Sequence, residues 1–200
     1  MNHIPSSLLF VIIILITNSK VCLSQHLYTK GVVVMRQDFE LEHPITIYDT
    51  NGKPFRKFVF MDEFDRNPSI HHFRCSAEYS ILIFNCLAIN DKYYKVVTDE
   101  KKRQVGYIPR SDKKFCYETW GDHVASVSSV DFDPEDNPLH KQPNEPSPLV
   151  PVSSKIDLYR PEKAIGDWLK VSWESPKKGV GWIKWKDKHS DLIVELFYFI

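Results

Sequence analysis

The stretch KIDLYRPEKAIGDWLKVSWESPKKGVGWIKWKD, Lys155 to Asp187, contains the pattern from which the fold is predicted. Its apolar residues alternate with polar neighbours, which is the period of half-buried strands, at Ile156, Leu158, Leu169, Val171 and Trp173. After a polar turn, Gly181-Trp182-Ile183 begins a third short strand. The stretch therefore predicts a small β-module with tight turns.

The same pattern occurs 75 positions earlier without a gap. In the first strand, the alignment pairs Ile156, Leu158 and Tyr159 with Ile81, Ile83 and Phe84. In the next two strands, it pairs Trp168 with Tyr93, Lys170-Val171 with Lys95-Val96, Val180-Gly181 with Val105-Gly106, Trp182 with Tyr107 and Ile183 with Ile108. A fixed period that keeps aromatic, aliphatic and glycine positions indicates an internal duplication. We therefore predict two copies of one module.

Composition limits the fold class and the partners. The 200 residues are 42% hydrophobic and 13% aromatic, with 13 prolines and separated β-patterned runs, which favours an all-β protein with irregular connections. Lysine plus arginine equal aspartate plus glutamate at 26 each, so no overall basic charge attracts nucleic acid or an anionic membrane. We expect no nucleic-acid partner.

The N-terminus has the pattern of an export signal. Leu8 to Thr17 is a ten-residue apolar run, too short to span a bilayer comfortably, and Cys22-Leu23-Ser24 places small residues at the cleavage positions. Residues 1–24 are thus predicted to be a signal peptide cleaved after Ser24, and the protein to be secreted or periplasmic. We expect no transmembrane segment, and Leu192 to Ile200 is predicted to be a closing strand.

A second alignment with a different offset links the starts of the two copies. Tyr48-Asp49 aligns with Phe132-Asp133 at an offset of 84, so the first copy has about nine extra residues, which fall within a loop at residues 59–76. Asn51-Gly52 after Tyr48-Asp49 is a strong hairpin signal. On the strand that follows the loop, Ile81 and Ile83 are expected to face inward, and Leu82 and Phe84 to form an outward apolar face that packs against the second copy or the lead-in strand.

These motifs resemble those of the bacterial SH3 (Src homology 3) domain, a small five-stranded barrel of exported bacterial proteins. The resemblance lies in Asp131 to Glu135, Asn137, Pro143, Ser147, Gly166 to Val171, and Lys178 to Ile183. It implies two tandem SH3-like barrels after the signal peptide: residues 25–125 with a lead-in strand and the loop insertion, and residues 126–200. Val96, Ile108, Val171 and Ile183 would fill the interiors, and Gly106 and Gly181 would permit close backbone approach or positive φ.

Aromatic residues are the candidates for a recognition surface. In this family the position of Tyr93 and Trp168 looks onto a groove between long loops, and flat amphipathic rings bury much area at low entropic cost. We therefore select Tyr48, Tyr93, Pro109, Tyr159, Trp168 and Trp185 as candidate ligand-binding residues. Alternatively, these rings simply cap the barrels.

The histidines and cysteines do not form a recognisable metal or disulfide framework. His71-His72-x-x-Cys75 lacks the second ligand pair of a structural zinc site, so no metal and no cofactor are predicted. Cys75, Cys86 and Cys116 remain after signal cleavage; Cys75–Cys86 pairing is disfavoured by separation along one strand, while Cys116 could pair with either.

The chain carries no catalytic framework that stands above background, so we expect no enzyme. The leading hypothesis is a non-catalytic exported protein whose tandem SH3-like modules bind a peptide, peptidoglycan or protein ligand. One alternative is an inhibitor or immunity-type protein that plugs a partner enzyme with the 59–76 loop. Another is a papain-like cysteine hydrolase using Cys116 with His123 or His140, for which the chain has no spare length.

Overall fold

The protein is all-β apart from one short helix in the part of the chain that the structure describes. The structure is a computed structural model, and it describes residues 25–26, 29–36, 44–59, 73–76, 79–151, 158–175 and 177–198. The strands of the N-terminal half (residues 25–125) are β1 (Gln25–His26), β2 (Gly31–Met35), β3 (Ile45–Tyr48), β4 (Pro54–Phe58), β5 (Arg74–Ser76), β6 (Ile81–Ile89), β7 (Tyr93–Asp99), β8 (Gln104–Pro109) and β9 (Phe115–Thr119). Those of the C-terminal half (residues 126–200) are β10 (Ser129–Asp131), β11 (Arg160–Ile165), β12 (Trp168–Trp173), β13 (Gly179–Lys184), β14 (Asp191–Leu192) and β15 (Glu195–Phe197).

The N-terminal half forms one antiparallel sheet of eight strands. Its path is β4-β3-β8-β7-β6-β2-β9, and β5 pairs with the start of β6. Asn51-Gly52 makes the predicted turn between β3 and β4, where Gly52 takes a φ of +73°. Asp49 stabilises that turn because its side chain accepts hydrogen bonds from the backbone N–H groups of Asn51 and Lys53, at 2.8 and 2.9 Å.

The C-terminal half pairs its segments in the same order, with shorter strands. β11, β12 and β13 form a three-stranded sheet, and β10 pairs with β15. Single bridges extend both sides: His140 joins Trp182 of β13 to Leu149, and Tyr159, just before β11, joins Val130 of β10. The segments of the C-terminal half therefore follow one another in the order Leu149, His140, β13, β12, β11, β10, β15. This order matches β4, β3, β8, β7, β6, β2, β9 in the N-terminal half.

The register of the central hairpins repeats at the offset of the sequence repeat. Val96 pairs with Gly106 and Val171 pairs with Gly181, and the five consecutive pairs from Tyr93–Pro109 to Val97–Val105 each have a partner pair 75 positions later. The neighbouring strand also repeats, including its β-bulge, which lies between Cys86 and Ala88 in β6 and between Pro161 and Lys163 in β11. The equal spacing of aromatic and glycine residues in the two sequence copies therefore corresponds to the same strand register in the two halves of the structure.

The predicted closure into two five-stranded barrels is not seen. In the described ranges no strand pairing joins β4 to β9, the two ends of the larger sheet, and the strands of the C-terminal half are divided between small sheets. The supported fold class is all-β. Two features lie across the predicted domains, 25–125 and 126–200: β1 pairs with β14, and α1 (Trp120–Ser126) contains the predicted boundary.

Helix α1 was not expected from the β-rich sequence. The Thr119 side chain caps it by accepting from the Asp122 N–H at 3.2 Å, and the helix ends at Ser126, since Val127 is extended. Trp120 and Val124 turn inward, and Gly121 faces Ala164 of β11. The helix thereby connects the larger sheet to the C-terminal half.

Two apolar clusters lie on opposite faces of the larger sheet. One cluster is confined to the N-terminal half and includes Val33, Leu82, Phe84, Val96 and Ile108. The other lies between the opposite face of that sheet, α1 and the C-terminal half, and includes Val32, Ile81, Ile83, Trp120, Val171 and Ile183. Val96, Ile108, Val171 and Ile183 are fully buried, which confirms that they are interior residues.

The inward and outward faces of β6 are exchanged relative to the prediction. Leu82 and Phe84, expected to face outward, are fully buried in the cluster of the N-terminal half, whereas Ile81 and Ile83 contact the other cluster. The cluster that covers Leu82 and Phe84 includes Val33 and Met35 of the lead-in strand β2, as expected, but belongs to the N-terminal half and not to the second copy. Alternation fixes which residues share a face but not which face meets which layer, and here both faces are buried.

In the described ranges no helix is both long enough and apolar enough to cross a membrane. The predicted signal peptide at residues 1–24 lies outside those ranges, as do residues 60–72 of the predicted loop.

Candidate functional site

Three strands of the N-terminal half carry aromatic residues on the face turned away from their core. Strand alternation buries Ile47, Tyr94 and Ile108, and their neighbours point the other way. We call this outer set the tyrosine face: it consists of Tyr48 on β3, Tyr107 and Pro109 on β8, and Tyr93 and Lys95 on β7. All five side chains are half-buried.

The residues of the tyrosine face are cross-strand neighbours. Tyr48 lies opposite Tyr107, Tyr93 opposite Pro109, and Lys95 opposite Tyr107. The Tyr93 and Tyr107 rings meet edge to face, with centroids 6.3 Å apart and an interplanar angle of 83°. Within the described residues none of the three tyrosine hydroxyls is hydrogen-bonded, so each is free to donate to a ligand or to water.

The C-terminal half presents a matching set at the same register positions. We call it the tryptophan face: His140, Trp168, Lys170, Trp182 and Lys184, which correspond to Tyr48, Tyr93, Lys95, Tyr107 and Pro109. The His140 and Trp168 rings lie edge to face at 5.0 Å, and Lys184 Nζ lies 5.6 Å from the Trp168 ring centroid. Trp182 is only 8% exposed, and Lys163 Nζ lies 5.6 Å from its ring centroid. The tryptophan face is thus largely covered by its own side chains.

Four of the six predicted site residues lie on these faces: Tyr48, Tyr93 and Pro109 on the tyrosine face, and Trp168 on the tryptophan face. Tyr159 and Trp185 do not, since they are 6% and 3% exposed in the core. Tyr159 packs against Phe132 and Trp173 at 4.6 and 5.8 Å between centroids, and burial raises the pKa of its phenol above the usual range. Trp185 donates its indole N–H to Gly166 O at 2.9 Å. We therefore leave both out of the recognition surface.

Six face residues were not selected from the sequence: the ring-bearing Tyr107, His140 and Trp182, and the lysines Lys95, Lys170 and Lys184. Tyr107 and Trp182 were already aligned by the repeat, and strand alternation places them beside Tyr93 and Trp168. His140 had no such signal, because the alignment of Tyr48 with Phe132 points elsewhere. That alignment holds for the turn, in which Asp133 accepts from the Glu135 N–H as Asp49 does from Asn51, but Phe132 is buried.

None of the three described cysteines, Cys75, Cys86 and Cys116, forms a disulfide. Cys75 lies opposite Leu82, on the face of the N-terminal cluster, whereas Cys116 lies opposite Val34, which packs against the other cluster. Cys75 and Cys116 therefore lie on opposite faces of the sheet. Cys86 is fully buried, and burial raises the pKa of its thiol from 9.0 to about 11.

Cys116 and His123, which were considered for cysteine hydrolysis, form hydrogen bonds with other residues. The Cys116 thiol donates to Val34 O at 3.7 Å. His123 is 2% exposed; its Nδ1 lies 2.7 Å from Glu118 Oε2 and its Nε2 lies 3.0 Å from Tyr198 Oη. This chain of hydrogen bonds joins β9, α1 and the C-terminal segment, and burial raises the pKa of Tyr198 above its usual range. His123 therefore bonds to two other segments of the fold through both ring nitrogens. The geometry gives no support to a Cys116–His123 pair.

The His71-His72-x-x-Cys75 motif lies partly inside the described residues. His71 and His72 lie outside the described residues, while Cys75 lies inside them. Among the residues that are described, no group of three or more histidine, cysteine or acidic side chains is placed to hold a metal ion.

A comparison of the chain with protein-family models, with curated proteins and with solved structures found no match. The resemblance to the SH3 family therefore rests on this chain's own motifs.

Proposed function

We propose that the chain is a non-catalytic, exported binding protein, built from two SH3-like copies, which holds a peptide, peptidoglycan or protein ligand on an aromatic sheet face. The observation that carries this proposal is the tyrosine face. Three half-buried tyrosines and a proline lie together on the side of the sheet opposite the cluster of the N-terminal half, and the tyrosine hydroxyls are free in the described structure. Rings of this kind are enriched at binding hot spots.

Two observations support the tandem-copy part of the proposal. The central hairpins share their register and the position of one β-bulge at an offset of 75 residues. The aromatic residues then occupy equivalent places on both outer faces. Export is supported by the apolar run at residues 8–17 and the small residues before Gln25.

Binding by purified mature protein, residues 25–200, tests the proposal. Retention on isolated peptidoglycan and on an immobilised peptide library should fall at least roughly tenfold in the double variant Tyr93→Ala/Tyr107→Ala, since hot-spot aromatics typically contribute more than 1 kcal/mol each. Tyr79→Ala is the matched control, because Tyr79 is 42% exposed but lies in the turn before β6, outside the three face strands. Equal retention by the double variant and the control would refute the proposal.

A further inference from the structure

The two aromatic faces differ in how their central lysines are neutralised. Lys95 and Lys170 occupy the same register position, opposite Tyr107 and Trp182 respectively. In the tryptophan face, Lys170 Nζ pairs with Glu162 Oε2 at 2.5 Å. In the tyrosine face no acidic side chain of the described residues pairs with Lys95.

The missing carboxylate has a specific location. Glu162 occupies the β-bulge of β11, between Pro161 and Lys163, and the residue at the equivalent bulge of β6 is Leu87. Leucine cannot pair with Lys95. The difference at one bulge residue thus leaves the half-buried Lys95 of the tyrosine face without this carboxylate partner, beside the tyrosine rings.

The remaining contacts of the tryptophan face also have no counterpart in the tyrosine face. Lys184, which covers Trp168, forms an ion pair with Glu145, and its equivalent is Pro109. Lys163, which covers Trp182, is equivalent to Ala88. The tryptophan face is therefore satisfied by its own chain, whereas the tyrosine face leaves its rings and its charge available.

The charge beside the rings of the tyrosine face comes from Lys95. Arg110 follows Pro109 at the end of this face, but its guanidinium lies 5.9 Å from the ring centroid of Tyr94, on the other side of the sheet. Asp49 is engaged in its own turn. The lysine among the rings therefore favours an anionic ligand.

We propose that the tyrosine face binds an acidic peptide segment, whose carboxylate pairs with Lys95 in the way that Glu162 pairs with Lys170, while its flanking residues pack on Tyr93 and Tyr107. The tryptophan face is the internally neutralised copy. This inference rests on the proposed function of the tyrosine face and adds the ligand's charge and the copy that binds it.

Two pools of fluorescent heptapeptides test the inference, one with glutamate fixed at the central position and one with glutamine there. Mature protein should bind the glutamate pool about tenfold more tightly, as one charge-assisted hydrogen bond predicts. Lys95→Gln should remove that preference. Leu87→Glu should remove it too, by supplying the internal carboxylate, whereas the matched control Leu87→Gln should retain it.

The outcomes separate the inference from the proposed function. Equal binding of both pools, with binding lost in Tyr107→Ala, would overturn the acidic-ligand inference and leave the binding function standing. A glutamate preference that survives Lys95→Gln would also overturn it. If neither pool binds, and Tyr93→Ala/Tyr107→Ala has no effect on retention by peptidoglycan or the peptide library, both proposals fail.

Discussion

Replacing Gly106 by alanine should lower the free energy of unfolding by about 2–3 kcal/mol. A Cβ at this position would lie 2.4 Å from Ile47 Cγ2, 2.8 Å from Thr98 Cγ2 and 3.0 Å from Phe55 Cε1. Ile47 and Thr98 are 0% and 1% exposed, and both are β-branched, so their methyl groups cannot swing away without leaving a favoured rotamer. The expected result is an overpacked contact between β8 and β3.

The equivalent glycine and a helical glycine give a graded comparison. A Cβ on Gly181 would meet Leu139 Cδ2 at 2.5 Å, the end of a more flexible side chain, so Gly181→Ala should cost about 1 kcal/mol. A Cβ on Gly121 in α1 would have its nearest contact, Ala164 Cβ, at 3.7 Å, so Gly121→Ala should stabilise by about 0.5–1 kcal/mol through helix propensity.

Thermal unfolding followed by circular dichroism measures all three variants. At roughly 2–4 °C per kcal/mol for a chain of this size, Gly106→Ala should lower Tm by roughly 5–10 °C, and Gly121→Ala should raise it by roughly 2–3 °C. A Gly106→Ala variant as stable as the unchanged protein, or less destabilised than Gly181→Ala, would refute the proposed packing of β8 against β3.

Three further predictions concern buried groups. Phe84→Ala should cost about 3–5 kcal/mol in urea unfolding, because Phe84 is fully buried in the cluster of the N-terminal half; a cost below about 1 kcal/mol would contradict that placement. Because the pKa of Cys86 rises from 9.0 to about 11 on folding, its thiol contributes stability that is present below pH 9 and is lost as pH rises towards 11, by up to about 2–3 kcal/mol. Urea unfolding at pH 8 and pH 10.5 should show a larger loss in the unchanged protein than in Cys86→Ala, and equal losses would contradict the prediction. Trp185→Phe should cost about 1 kcal/mol through loss of the hydrogen bond to Gly166, with ligand retention unchanged; loss of retention at unchanged stability would show that Trp185 belongs to the surface after all.

Much of the candidate site could be predicted because strand period and cross-strand pairing are local. Tyr93 and Trp168 were selected from the sequence, and they lie at equivalent places, as the first residues of β7 and β12. Tyr107 and Trp182 were aligned by the repeat but were not selected, although they lie on the same outer faces. Tyr159, which the repeat aligns with Phe84, was selected for the surface, but its ring is buried, as is that of Phe84.

The sequence by itself determined the all-β class, the offset of 75 residues and the residues that fill the interior, since hydrophobic period, turn residues and repeat spacing can be read along a short stretch. Only the tertiary structure decided which face of β6 meets which layer, that His140 rather than Phe132 lies beside Trp182, and that Lys170 is paired whereas Lys95 is not paired within the described residues. The physical reason is that these outcomes depend on contacts between segments far apart in the chain. Alternation in one strand fixes two faces but does not determine what covers them.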